Sequence, residues 1–206
     1  LSNNQLGDEA YHLQIDPSEI SIEASTPKGV FYALSTLMQL LPAEIESKEY
    51  VAATQWVIPA YRIEDAPRLK YRGLMIDVAR HFTTIEGLKK HIDILSMFKI
   101  NHLHLHLSDY QGWRVEIKAY PKLTSVGGYR INEYGETYGG FYTQDEIREL
   151  VAYATDRFVT IIPEIDVPGH TLGAIAAYPE LSCTGETYQV MSKGGGFPVV
   201  MCPGKE

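Results

Sequence analysis

This chain is poor in the features that mark a membrane, nucleic-acid or redox protein. No apolar run approaches the ~20 residues needed to span a bilayer. Its 18 basic and 26 acidic residues form no block of like sign, and the net charge is −8. Such a balance argues against a polyanion-binding surface, which needs clustered Lys and Arg, and fits a neutral or cationic small partner. No Gly-rich phosphate loop and no H-E-x-x-H helix occurs. The opening residues, LSNNQLGDEAYH, lack a basic start and an apolar stretch, so no signal peptide is expected in this chain, and Leu1 stands where a methionine would start a natural one. Cysteine is nearly absent. Cys183 and Cys202 flank a loop containing Gly194-Gly195-Gly196. They read either as a disulfide formed in an oxidising compartment or as two separate buried thiols, and their turn-rich setting favours the bridge.

What the chain does have is a run of alternating histidine and leucine, NHLHLHLSDYQGWR, from Asn101 to Arg114. Period-two alternation is a strand pattern, with His102, His104 and His106 on one face and Leu103, Leu105 and Leu107 on the other.

Two segments flank a change of rhythm near Arg68. Residues 1–67 read as the remainder of a small α/β domain. Residues 11–15 and 20–24 alternate as strands around an Asp16-Pro17-Ser18 turn. Thr26-Pro27 then supplies an N-cap and a first-turn proline for a helix over residues 29–41, with Val30, Leu34, Leu37 and Leu41 as its apolar stripe. Residues 68–206 repeat strand and helix. Residues 73–79 (GLMIDVA) predict a strand buried on both faces. A helix over residues 84–98 carries Ile85, Leu88, Ile92, Leu95 and Phe98. After the His-Leu strand, residues 127–141 read as a long Gly- and Tyr-rich loop. Thr143 to Glu146 is a capping box opening a helix with Ile147, Leu150, Val151 and Ala154. Residues 158–167 predict a third strand, broken by Pro168-Gly169-His170. Three βα units suggest a parallel sheet, and barrel and open sheet both remain open on periodicity alone.

In such folds chemistry gathers at the C-terminal strand ends. Those ends carry Arg80, then Ser108-Asp109 with Trp113, then Asp166 and His170. A metal site using the spaced histidines is one reading. It lacks a Cys/His cluster to complete it, and interior hydrogen-bonded histidines explain the pattern as well. Sugar chemistry is the other, because carboxylates, an arginine for hydroxyls and aromatic faces are the set it needs.

Three segments carry a family resemblance: residues 73–82 (GLMIDVARHF), 102–124 (HLHLHLSDYQGWRVEIKAYPKLT) and 163–170 (PEIDVPGH). With Tyr142-Thr143-Gln144, YPELSC at 178–183 and VMCPGKE at 200–206, the chain resembles the glycoside hydrolase family 20 β-N-acetylhexosaminidases over almost its whole length. The resemblance implies a (β/α)8 TIM barrel, of which this chain would carry about the first three βα units, preceded by a small α/β domain. It implies removal of terminal non-reducing β-linked N-acetylglucosamine or N-acetylgalactosamine from an oligosaccharide or glycoconjugate. Retention would come from attack by the sugar's own 2-acetamido group through an oxazolinium ion, with no metal and no cofactor. Arg80 would bind sugar hydroxyls, while Asp109, Asp166 and His170 would form the polar network around the catalytic acid. An extracytoplasmic location is also implied, as the possible Cys183–Cys202 bridge suggests.

Two departures accompany the match. Tyr110 stands where many members have a second Asp. No catalytic residue of the family's adjacent Asp-Glu pair is expected within this chain; that pair would lie beyond Glu206, since Asp8-Glu9 and Asp145-Glu146 sit before the barrel and at a helix start. The 206-residue chain alone is therefore expected to be inactive, and to need the rest of the barrel, from further residues or a companion polypeptide. The rival expectations are a metal-dependent hydrolase on the same barrel and a non-catalytic carbohydrate-binding barrel.

Overall fold

A computed structural model describes residues 6–52, 54–195 and 197–204. The first five residues, Gly196 of the triple glycine, and Lys205 and Glu206 of the C-terminal motif lie outside the described residues. The chain divides into two compact units, Leu1–Arg72 with Asp93–Asn101, and Gly73–Ile92 with His102–Glu206.

In the first unit, β1 (Tyr11–Ile15) pairs antiparallel with β2 (Ile20–Ala24), and helix α1 (Pro27–Leu40) follows. Thr26 caps α1 by accepting from the Gly29 N–H at 3.2 Å, ahead of Pro27, as its sequence predicts. The expected apolar stripe is only partly the packed face, with Leu37 against the core. Val30 and Leu34 are exposed, whereas Gly29, Tyr32 and Ala33 are buried. Small residues win here because the helix lies tight on its neighbours: a Cβ at Gly29 would sit 2.6 Å from the Ala10 carbonyl oxygen. A third strand, β3 (Tyr61–Asp65), pairs with the other edge of β1. Tyr11, Leu13, Ile15, Tyr32 and Ala33 form the core of this unit. Beside it, Glu9 accepts from Arg72 at 2.9 Å and pairs with Lys28, while Asp65 accepts from Lys99 and from the Tyr11 hydroxyl, each at 2.8 Å.

The second unit is a parallel sheet. β4 (Gly73–Asp77) leads to helix α2 (Ile85–Met97), whose last turns group with the first unit. Leu88, Ile92 and Leu95 are buried as the periodicity predicts, but Phe98 falls past the helix end and is exposed. β5 (His102–His106) follows, then a short hairpin of β6 (Ser108–Asp109) and β7 (Gly112–Trp113). After α3 (Lys122–Ser125), the predicted loop contains a second hairpin, β8 (Tyr129–Ile131) with β9 (Thr137–Gly139). Helix α4 (Gln144–Thr155) opens with both hydrogen bonds of the Thr143–Glu146 capping box in place. It buries Leu150 and Ala154 but leaves Val151 exposed. Then come β10 (Thr160–Glu164) and α5 (Leu172–Ala177).

The strand order is β10-β5-β4, all parallel, with β5 in the middle. Leu103 and Leu105 of β5 are fully enclosed, the state expected of a parallel strand covered by helices. The edge strand β4 corrects the expectation of burial on both faces, because Leu74 and Met75 are about half exposed there. The register matters most for function. Asp77, His106 and Glu164 sit side by side at the C-terminal ends of the three strands. Neighbours in register on a sheet project to the same face. Cys183 and Cys202 are joined as a disulfide, which closes the loop after α5.

Candidate active site

Asp109 is the hub. Its side chain is completely enclosed, and an isolated carboxylate there would be strongly disfavoured. Four donors surround it. Arg80 Nη2 lies 2.6 Å and His106 Nε2 2.9 Å from Oδ2, while the Tyr110 N–H at 2.5 Å and His170 Nδ1 at 3.2 Å address Oδ1. Three of the four residues predicted from sequence, Arg80, Asp109 and His170, thus meet directly. The fourth, Asp166, joins differently. Its backbone N–H donates to Ser108 Oγ at 3.0 Å, and its carboxylate contributes to the field that raises the Arg80 pKa.

Arg80 bridges two carboxylates, Asp77 and Asp109, and also receives its own turn back: the Arg80 N–H donates to Asp77 Oδ1 at 2.9 Å. Burial pushes the guanidinium down, but Asp77 and Asp109 outweigh it and hold the group above its ordinary value. Burial likewise raises Asp77, and its hydrogen bonds from Arg80 overcome that and lower it. His170 is held with φ of +54°, in the left-handed region, with its ring 5.0 Å from that of Tyr110. A non-glycine residue there is uncommon and clusters at functional sites.

Scaffolding arginines explain why these loops stay in place. Arg114 is fully buried and donates to five carbonyls, those of Val78, Ala79, Gln111, Gly128 and Gly140. Burial lowers its pKa to about 10. Gly112 must be glycine, because a Cβ there would collide with the Arg114 guanidinium. Arg130 Nη1 ties the Arg80 carbonyl (2.8 Å) to that of Gln111 (3.1 Å).

Trp113 leaves the predicted sugar-facing set. It is buried with Leu123, Ala174 and Ala177, and its indole N–H donates to the Val115 carbonyl at 2.6 Å. In exchange the structure adds Asp77 and Glu164, which motif reading passed over, and places His106, one of the spaced histidines, between them. Their common signal was position, since each ends a parallel strand.

Among the described residues, Asp77, His106 and Asp109 are one group whose donor atoms, within 4.8 Å of one another, could hold a metal ion. Those atoms are already committed. The Arg80 guanidinium lies on both carboxylates, and both His106 nitrogens face carboxylate oxygens. A divalent ion would have to displace a cation that is hydrogen-bonded in place, which disfavours the metal-dependent rival.

An arginine offered on a buried carboxylate at the mouth of a parallel α/β sheet is chemically suited to donating to a polyhydroxyl ligand. Residues 69–206 match the profile "Glycosyl hydrolase family 20, catalytic domain", and residues 1–66 match "Glycosyl hydrolase family 20, domain 2". A beta-hexosaminidase of Porphyromonas gingivalis is 48% identical over 201 residues, 98% of this chain and 26% of that protein. One from Akkermansia muciniphila is 40% identical, over 96% of this chain and 39% of its own length. The solved Streptomyces plicatus N-acetyl-beta-hexosaminidase, in complex with Thio-NAglucal, superposes with a TM-score of 0.93 at 39% identity, covering 100% of this chain and 41% of that one. The chain therefore spans between a quarter and about two-fifths of the length of these relatives. Its parallel β4-β5-β10 sheet is part of a (β/α)8 barrel, and the chain belongs to glycosyl hydrolase family 20.

Proposed function

We propose that the complete protein carrying this chain removes terminal non-reducing β-linked N-acetylglucosamine or N-acetylgalactosamine from oligosaccharides or glycoconjugates. The configuration is retained, the sugar's 2-acetamido oxygen acts as the nucleophile through an oxazolinium ion, and no metal or organic cofactor takes part. We assign residues 1–67 to the small α/β domain and 68–206 to the barrel. The remaining strands, on the same chain or on a companion polypeptide, supply the Asp-Glu pair. An extracytoplasmic location fits the disulfide, and no helix among the described residues is long and apolar enough to cross a membrane.

In this reading Arg80 grips hydroxyls of the terminal sugar, oriented by Asp77 and Asp109. His170, oriented by Asp109, faces the catalytic acid, and Asp166 adds negative field. A general acid near neutral pH needs such tuned neighbours. The observation that carries the reading is the Arg80–Asp109–His170 constellation, built on an entirely enclosed carboxylate.

The test is turnover of a chromogenic β-GlcNAc substrate by the complete protein, with the first-formed anomer read by NMR. Release of the β anomer is expected, and an α product or dependence on added zinc would sink the assignment. Arg80→Lys should raise KM by about tenfold or more, because a point charge replaces a fork of donors. The 206-residue polypeptide alone should show no turnover.

A further inference from the structure

Asp109 is one member of a longer row. His104 Nε2 lies 2.5 Å from Glu164 Oε2, Glu164 Oε1 lies 2.8 Å from His106 Nδ1, and His106 Nε2 lies 2.9 Å from Asp109 Oδ2. Asp109 Oδ1 then meets His170 Nδ1 at 3.2 Å. Base and acid alternate across strands β5 and β10 into the mouth. The sheet register sets this, since Glu164 is the direct neighbour of His106.

His106 is 5% exposed, and each of its ring nitrogens faces a carboxylate oxygen. An ionised carboxylate only accepts, so both nitrogens are satisfied only if both carry protons. A neutral ring would point a lone pair at one of the oxygens, and a buried clash of that kind is costly. Every charged group packed around the ring favours the cation or balances it. Asp77 lies alongside on β4, Glu164 on β10 and Asp109 beyond β5, while Arg80 is neutralised by Asp77 and Asp109. The His170 ring meets it edge-on at 6.5 Å. Burial pushes the His106 pKa down, and the hydrogen bonds to Asp109 and Glu164 reverse that and raise it. Burial raises Glu164, and His106 with His104 outweighs this and lowers it.

We propose that Glu164 is a positioning residue that accepts from His106 Nδ1–H and keeps His106 an imidazolium, whose Nε2–H holds Asp109 Oδ2 so that the other carboxylate oxygen stays turned to His170. No proton is transferred along the row; His106 retains both. The proposal rests on the reading of Asp109 and His170 as part of the hexosaminidase site.

Two measurements on the complete protein test it. With 15N-labelled histidine, the His106 signals, assigned by their loss in His106→Gln, should report an imidazolium near pH 7. In Glu164→Gln the His106 pKa should fall by about 1–3 units, the effect of removing an opposite charge in contact. The kcat of Glu164→Gln relative to wild type should be about tenfold down at about pH 8 and recover toward parity at about pH 5.5, where His106 recharges, with KM little changed. A neutral His106 near pH 7 in the wild type, or a kcat deficit independent of pH, overturns the proposal. The labelled-histidine arm needs no turnover, so failure of the hexosaminidase reading would show separately as absent activity with His106 still charged.

Discussion

Each unit of this chain holds an enclosed charge cluster, and the two differ in where their openings lie. In the first unit Glu9 takes Arg72 and Lys28, and all three side chains are mostly covered, at 16%, 15% and 28% exposure. Arg72 is further consumed by the Lys99 carbonyl at 2.7 Å and the Tyr32 hydroxyl at 3.1 Å. In the second unit Asp109 is completely enclosed, yet its partners Arg80 and His170 are both 42% exposed. Both clusters contain groups displaced from their ordinary pKa, Glu9 in one and Arg80 with Asp77 in the other, so perturbation alone does not separate structure from function. What separates them is polarity of exposure: one cluster spends its charges on itself, the other buries the anion and presents Arg80 and His170.

The comparison breaks most sharply at its centres. Asp109→Asn in the complete protein should lower kcat/KM on the order of 10³-fold, as when the orienting carboxylate of other catalytic networks is lost. The midpoint of thermal unfolding should move far less than that loss implies. A comparable collapse of stability would place Asp109 with the structural cluster. Next in size is Arg114→Lys. One amine cannot serve five carbonyls held by a planar fork, so a stability loss of about 3 kcal/mol by chemical denaturation is expected.

Glu9→Gln should cost about 2 kcal/mol of stability near neutral pH and leave kcat unchanged. Burial raises the Glu9 pKa, but hydrogen bonds from Arg72 and Lys28 overcome it and hold the carboxyl at about 2 against an ordinary 4.5. A depressed folded-state pKa stabilises fully above the unfolded value. The contribution fades as pH falls from 4.5 toward about 2. The gap in stability between wild type and Glu9→Gln should therefore close over that interval. A gap constant with pH would mean that packing, not charge, is what Glu9 supplies.

The two clusters were unequally legible in the sequence. Arg80, Asp109 and His170 could be found because parallel strands bring their C-terminal ends together, and each carries an unusual polar residue after an apolar run. Asp77 and Glu164 could not be paired with His106 in advance, because register between strands distant in sequence is not written in either one. β3 escaped notice since Ile63 is the one aliphatic side chain in Tyr61–Asp65, and the hairpin of β8 and β9 hid in a stretch whose glycines and tyrosines read as loop. Trp113 was misplaced because an aromatic beside a site can serve packing or ligand equally, and only contacts with Leu123 and Ala177 decide. Val30 and Leu34 of the α1 stripe were misplaced for a related reason: periodicity ranks side chains by hydrophobicity, whereas Gly29 and Ala33 are buried for their small size.

The smallest effect is expected where a charge pair is neither enclosed nor aimed at anything. Arg62 and Glu64 on β3 form a 2.7 Å ion pair, geometrically as good as Arg72 with Glu9 at 2.9 Å. Their side chains are 72% and 53% exposed, so water competes for both charges and salt screens them. Ordering two long side chains also costs rotamer entropy, which offsets most of the attraction. Arg62→Ala should change stability by less than about 0.5 kcal/mol, and raising the salt concentration should erase even that. If the loss instead matched that of Glu9→Gln, distance rather than enclosure would govern these clusters, and the contrast between the two units would lose its basis.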